Sequence, residues 1–445
     1  MKRKISMYKP KTRWDKNLFA LLSGFLFLFF FSSSVLASPE ELGAVRQQIQ
    51  NSGARWQAAE TSISKLPAEQ RRMRLGFPKQ SFSVPAGTPV LSSKPATGGP
   101  TPPATLNYNL DSYVTPIRDQ GNCGSCWAFA TTAALESQYL MSTNVNGVGW
   151  STLSLSPQIL LSCSNAGNCS AGGYIDLASN FIQNTGLPVA SCYPYTELNW
   201  TSGPDSPCSN AACPYWQSDT YSIKGWKWVA TTAPTAAALE SALNTYGPLV
   251  TTMNVYSDFY YYTGGVYSLT KGATYEGGHA IEIIGYDHAD QYFIVKNSWG
   301  STPSGGYPAF GESVPGSVTT KGFFLIAYDQ MAQMTKVRYG GPEFGWYTIA
   351  YEGYKALQNT CTYSISPSSV SVTYSAGYGN VAVTSQSGCS WTAVSNVNWI
   401  SVVSGAKGTG DGTVRYYVTA NPTYKIWTGT LTIAGKTFTL TQAAK

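Results

Sequence analysis

A chain of 445 residues, 43% hydrophobic and only 12% charged, is too long for one hydrophobic core and too apolar to stay disordered, so two or three folded units are expected. The net charge of +6 is uneven: residues 1–37 hold seven basic side chains against one acidic, residues 38–104 eight against four, residues 105–345 eight against sixteen, and residues 346–445 six against two. The basic character sits in the leader, which argues against a nucleic-acid-binding role.

Residues 1–16 carry seven Lys or Arg, residues 18–31 form an apolar run of fourteen, and Val35-Leu36-Ala37 ends in small-residue spacing. This is the pattern of a secretory signal peptide cut after Ala37; a retained membrane anchor is the alternative, although the run is short of the ~20 residues that span a bilayer. From residue 39 to about 77, Leu42, Val45, Ile49, Trp56, Ile63 and Leu66 fall near the helical period, so helix is predicted, with Gly53 as a weak point. Residues 78–103 are rich in Pro, Gly, Ser and Thr and read as a linker or cleavable stretch. Residues 125–140 lack internal Gly and Pro and carry Ala, Phe and Leu, as a buried helix should. Two short apolar runs, 280–284 and 292–295, flank Asp287-His288-Ala289-Asp290 in a hairpin pattern. Residues 361–445 alternate Val, Thr, Tyr and Ser in short runs, notably 369–374, 413–418 and 428–433, which predicts a small all-β sandwich.

The chemistry concentrates in Gln120-Gly121-Asn122-Cys123-Gly124-Ser125-Cys126-Trp127. One of only two histidines, His279, follows Cys126 by 153 residues in Gly277-Gly278-His279-Ala280, and Lys296-Asn297-Ser298-Trp299-Gly300 places Asn297 18 residues further on. In order and spacing these segments resemble the signature of the papain-like cysteine proteases. The resemblance implies an α+β, two-lobed fold over residues 105–345, a helical lobe facing a β-rich lobe across the cleft, and peptide hydrolysis through a thioester on Cys126. Cys126 would be the thiolate, favoured by the N-terminus of its helix, and His279 the imidazolium that protonates the departing amine and then activates water. His288, in a polar turn, reads instead as a solvated loop residue. Asn297 would orient the His279 ring, Trp299 would shield that contact, and Gln120 with the Cys126 N–H would hold the oxyanion. Gly172, Gly173 and Trp299 form the implied substrate-binding set, the glycines letting an extended backbone approach the cleft wall. Residues 251–255 and the surroundings of Gly278 would carry the main specificity pocket. No cofactor or metal is called for, and neither histidine has zinc-finger spacing from a cysteine pair.

Placed between a leader and a protease unit, residues 38–104 read as a propeptide that blocks the cleft, its positive charge docking on the acidic domain; the motif of many family propeptides is not evident, and a plain spacer is the alternative. Nine cysteines in an exported chain predict disulfides with one thiol left over, Cys126. The resemblance implies a Cys123–Cys169 bridge. Cys163, Cys192, Cys208 and Cys213 allow three pairings, and the isolated Cys361 and Cys389 are expected to pair. Cys389-Ser390-Trp391, Asn398-Trp399-Ile400 and the final Phe438-Thr439-Leu440-Thr441-Gln442 resemble BACON-type domains of bacterial secreted proteins, implying a glycan, mucin or surface ligand, or a mere spacer, with residues 346–360 as linker. Two departures from the protease family stand out: residues 301–320 lack a second Trp-Gly and form a lengthened loop, and no cysteine lies between Cys213 and Cys361. Asn199-Trp200-Thr201 is a glycosylation acceptor only in a eukaryotic host. The whole reads as a monomeric, secreted cysteine endopeptidase, extracellular or periplasmic, made as a zymogen and acting on proteins or peptides. A thiol-disulfide oxidoreductase using Cys123 and Cys126, and a non-catalytic binding protein on a protease scaffold, are the alternatives.

Overall fold

The computed structural model describes residues 39–79, 81–84, 88–91, 102–143, 151–196, 208, 213, 216–218, 220–313, 321–355, 361–386 and 389–445. The signal-peptide segment, Asn199-Trp200-Thr201 and residues 314–320 of the lengthened loop lie outside the described residues. No helix among the described residues is long and apolar enough to cross a membrane.

One lobe is built around the helix Cys126–Thr143, buried on nearly every side, as expected where the sequence is apolar all round. The helix Ile175–Asn184 packs on it through Ile175, Ala178, Ser179 and Ile182, one face at helical spacing. Three disulfides staple this region: Cys123–Cys169, Cys163–Cys208 and Cys192–Cys213, which resolves the three pairings left open by the sequence.

The second lobe is a nine-stranded, mostly antiparallel sheet. Its strands lie side by side in the order Trp56–Ala58, Tyr262–Tyr267, Phe323–Ala327, Tyr292–Lys296, Tyr275–Asp287, Leu249–Tyr256, Thr348–Tyr351 and Trp226–Ala230, with Thr105–Asn107 pairing off the long Tyr275–Asp287 strand. The expected hairpin is present, Tyr292–Lys296 running back along Tyr275–Asp287. Leu249–Tyr256 is buried at all eight positions, because the sheet is covered on both faces there. Aromatic rings from Phe259, Tyr262, Tyr267, Phe310 and Phe324 fill the core beside it.

Three expectations need correction. The helix predicted to about residue 77 stops at Ser52: Gly53 takes φ +66°, and the Ala54 N–H to Ile49 and Gly53 N–H to Gln50 bonds close a glycine C-cap. Trp56, assigned to the helical stripe, lies instead in a strand opposite Gly265, because its indole is 3% exposed against Tyr262 and Tyr267 and its Nε1 donates to Ser268 O at 3.0 Å. A second, short helix follows at Ala68–Met73. The linker expected over 346–360 does not begin at 346: Thr348–Tyr351 is buried at all four positions between two strands of the sheet, and Tyr354–Lys355 pairs with Ser222–Ile223. The composition-based linker at 78–103 likewise begins as docked chain. Phe82 packs on Phe77, Tyr174, Trp228 and Tyr347, and the Leu91 N–H bonds to Trp228 O.

Residues 361–445 form two β-sheets. One orders Tyr363–Ser366, Gly377–Ser385, Gly412–Val418 and Ile400–Ser404; the other orders Ser369–Val372, Lys436–Gln442, Trp427–Ile433, Ser390–Ser395 and Lys407–Thr409. Val414, Tyr416 and Val418 alternate inward along one strand, joining Val381, Trp391, Leu431 and Phe438 in the core, as period-two strands require. Cys361–Cys389 closes its start.

Candidate active site

Cys126 is the first residue of its helix and is fully buried. Its Sγ receives the Ala280 N–H at 3.4 Å and the Gly76 N–H at 3.2 Å. His279 comes from the neighbouring lobe, in the middle of the Tyr275–Asp287 strand opposite Met253. Asn297 follows the adjacent strand, and its Oδ1 accepts from His279 Nε2 at 2.8 Å and from the Ser298 N–H at 2.8 Å. That bond places the ring proton on Nε2 and leaves Nδ1, which is buried and has no hydrogen-bond partner among the described residues, as the basic nitrogen of the neutral ring.

Gln120 is held on both ends of its carboxamide. Oε1 accepts from Ser298 Oγ at 2.7 Å, while Nε2 donates to Cys123 O at 2.8 Å and to Arg74 O at 3.0 Å. The Gln120 N–H to Ser298 O and Gly300 N–H to Arg118 O bonds tie the cysteine segment to the asparagine segment, so residues far apart in sequence share one rigid frame. Gly172 and Gly173 form part of a two-strand ladder with Gly167–Asn168. Both positions need glycine: Gly172 has φ +74° and an added Cβ would lie 2.1 Å from Gly76 O, while one on Gly173 would lie 2.4 Å from the Trp127 ring.

The chain's own residues 74–77 thread this cleft. Arg74 offers its carbonyl to Gln120, Gly76 puts its N–H on Cys126 and its C=O on the Gly173 N–H at 2.8 Å, and the Phe77 N–H bonds Gly278 O at 3.1 Å. A Cβ at Gly76 would fall 1.8 Å from Gly124 O, so only glycine passes at this depth. Flanking cations anchor the thread: Arg74 to Asp119 at 2.6 Å, Arg72 to Glu276 at 2.9 Å, Lys79 to Glu343 at 3.3 Å, and Arg71 over the Tyr260 ring. His288 stands apart, exposed, its Nδ1 at 2.8 Å from Glu240, which raises its pKa.

A papain family cysteine protease profile matches residues 102–314. Cathepsin B-like CP3 of Giardia intestinalis is 30% identical over 285 residues, covering 61% of this chain and 89% of that protein. This chain belongs to the papain family of cysteine proteases. Cathepsin B-like CP2 of the same organism is 34% identical over 192 residues, covering 42% of this chain and 60% of CP2. ProCathepsin B S9 from Trypanosoma congolense, 18% identical, superposes over 70% of this chain and 98% of its own with a TM-score of 0.52, a likeness of fold.

In this papain-family protease the nucleophile candidate and its partner differ electrostatically from the ion pair expected from sequence. Burial pushes the Cys126 thiol up to about 11 despite the N–H groups of Ala280 and Gly76, and burial pushes His279 down to about 4 despite Asn297. Both are therefore neutral at pH 7, burial outweighing the hydrogen bonds that favour the charged forms. Trp299 is 2% exposed, enclosed by Phe259, Tyr260 and Phe310, with its ring 4.8 Å from that of His279, which it covers. Phe310 belongs to the lengthened loop, whose first part thus packs as core. The oxidoreductase alternative fails on connectivity: Cys123 is committed to Cys169, leaving Cys126 as the free thiol without a redox partner.

Proposed function

We propose that this chain is a secreted cysteine endopeptidase held inactive by residues 39–91, with Cys126 as nucleophile, His279 as acid–base partner, Asn297 as ring-orienting residue and Gln120 as oxyanion donor. The observation that carries the reading is the placement of the Gly76 N–H on Cys126 Sγ while the Arg74 carbonyl occupies the Gln120 amide. The pro-segment fills the reacting position itself. Once it leaves, the thiol proton passes to His279 Nδ1 and the thiolate adds to a substrate carbonyl carbon. The oxyanion takes hydrogen bonds from Gln120 Nε2 and the Cys126 N–H. His279 then gives its proton to the leaving amine as the C–N bond breaks, and later removes one from the water that cleaves the thioester. The Gly173 N–H and Gly278 C=O, which now grip the pro-segment, would grip an extended substrate.

Four disulfides support an oxidising compartment, extracellular or periplasmic. Residues 38–104 would be the propeptide, and the protease unit would run from 105 to 355. Residues 361–445 would be a BACON-like module, its exposed Tyr378 and Tyr424 offering aromatic faces to a glycan or cell surface.

Treating the processed protein with an epoxysuccinyl inhibitor and mapping adducts by peptide mass spectrometry tests the assignment. A single adduct on Cys126, absent from Cys126→Ala, with loss of peptide hydrolysis is expected. Intact hydrolysis in Cys126→Ala would sink it, and a processed chain that hydrolyses nothing would favour a binding scaffold. Latency has its own test in Gly76→Leu. With no room for a Cβ, the overlap costs ~1–3 kcal/mol, so the uncleaved variant should hydrolyse peptides about ten- to a hundredfold faster than the uncleaved wild type. Equal activity of the two uncleaved chains would disprove blockage at Gly76.

A further inference from the structure

Lys79, in the pro-segment, is buried at 6% exposure, an unusual place for an ammonium without a dedicated receptor. Its Nζ donates to the Glu343 carbonyl at 2.9 Å, lies 3.3 Å from Glu343 Oε2, and sits 5.4 Å from the centre of the Trp346 ring. Desolvation draws its pKa down to about 8 against the pull of Glu343. The pocket holding it flanks the reacting centre. Phe77, two residues earlier, bonds Gly278, the neighbour of His279, and a Cβ on Gly278 would lie 3.1 Å from that of Lys79.

The groups that hold the ammonium come from the protease unit, while Phe82 of the pro-segment lines the adjoining cavity. Asn254 Nδ2 donates to Glu343 Oε2 at 3.3 Å and to the carbonyls of Tyr339 and Gly341 at 3.0 and 2.9 Å, while the Asn254 N–H bonds Pro342 O at 2.7 Å. Gly340 packs so closely that a Cβ there would lie 2.2 Å from Glu343 Oε1. Tyr339, Glu343 and Tyr347 take φ values of +61°, +43° and +23°, left-handed positions that persist only where the surroundings hold them. The adjoining cavity, about 440 Å³, is lined by Phe82, Gln333, Tyr339, Glu343, Trp346 and Tyr347.

We propose that Glu343 determines specificity in the processed enzyme, its pocket taking a lysine or arginine side chain of the substrate for which Lys79 is the built-in placeholder. This rests on the protease reading above. When the pro-segment leaves, its ammonium leaves with it, and Glu343 remains held by Asn254 with its counterion gone. A substrate ammonium or guanidinium restores both the ion pair and the contact with the Trp346 face. An aliphatic side chain fills the same space and leaves the carboxylate unpaired. Phe77 itself turns to Phe82 and Tyr347, two rings that also line this cavity.

The test uses the full chain after processing, its active sites counted by epoxysuccinyl labelling of Cys126, and a fluorogenic peptide library varied at each position on the acyl side of the scissile bond. At one position Lys or Arg should exceed Leu or Met in kcat/KM by about tenfold or more. Glu343→Gln should reduce that ratio to about twofold while Cys126 labels as before. A wild type that prefers Leu or Met at every position overturns the proposal without any variant having to fold, and an unchanged ratio in Glu343→Gln overturns it equally. If Cys126 takes no label and no peptide is cut, the protease reading fails and this inference falls with it.

Discussion

Replacing Gln120 by alanine should lower kcat of the processed enzyme by ~10²- to 10³-fold and leave KM within a few-fold, the pattern of an interaction made in the transition state. The size follows from how the carboxamide is held. Ser298 Oγ and Cys123 O fix its two ends, and the residue is fully buried, so Nε2 already points where the Arg74 carbonyl oxygen now sits. A donor fixed before reaction costs no reorganisation when the oxyanion forms. Ser298→Ala removes one of the two supports and should cost a smaller part of kcat, about tenfold. Steady-state kinetics on the two variants check both figures. A Gln120→Ala enzyme that loses KM and keeps kcat would move Gln120 from transition-state stabilisation to ground-state binding.

What could be read from the sequence follows the kind of atom involved. Cys126, His279 and Asn297 were legible because side-chain chemistry demands those residue types, and the frame that joins them needs only order and approximate spacing. The hairpin around residue 288 and the strands after residue 361 were legible from period-two alternation. The pro-segment's grip was not, because Arg74, Gly76 and Phe77 act through backbone N–H and C=O groups that every residue carries. Glu343 gave no signal either: it is a single carboxylate in an irregular run, 217 residues from Cys126, and only the fold brings it to the Lys79 ammonium. Trp56 was misread since spacing alone cannot weigh a left-handed Gly53 against a helical stripe, and the sheet's claim on Thr348–Tyr351 was hidden because four residues are too few to show a period.

Cys126 should change its reactivity more than any other group when the pro-segment is removed. In the uncleaved chain its thiol, pushed up to about 11, is ionised to only ~10⁻⁵ at pH 6, and the alkylation rate should climb about tenfold per pH unit through neutrality. In the open site the proton moves to His279, and thiolate predominates across mildly acid and neutral pH, so the rate should become nearly flat there. The gain of about 10⁵ in thiolate fraction is offset by ~10³ from the weaker nucleophilicity of a more acidic thiol, which leaves ~10²-fold, before the improved access of a sulfur now fully buried. Iodoacetamide labelling of Cys126 against pH, before and after processing, measures both slope and ratio; a tenfold-per-unit slope that persists after processing would mean that no ion pair forms. The sign for stability is set by the same transfer. His279, lowered to about 4 in the closed chain, would by itself favour release as pH falls below 6.5, and Cys126, raised to about 11, would by itself favour release as pH rises above 9. When the proton passes from sulfur to nitrogen within the pair, release exchanges none with solvent near neutrality, and the two tendencies cancel.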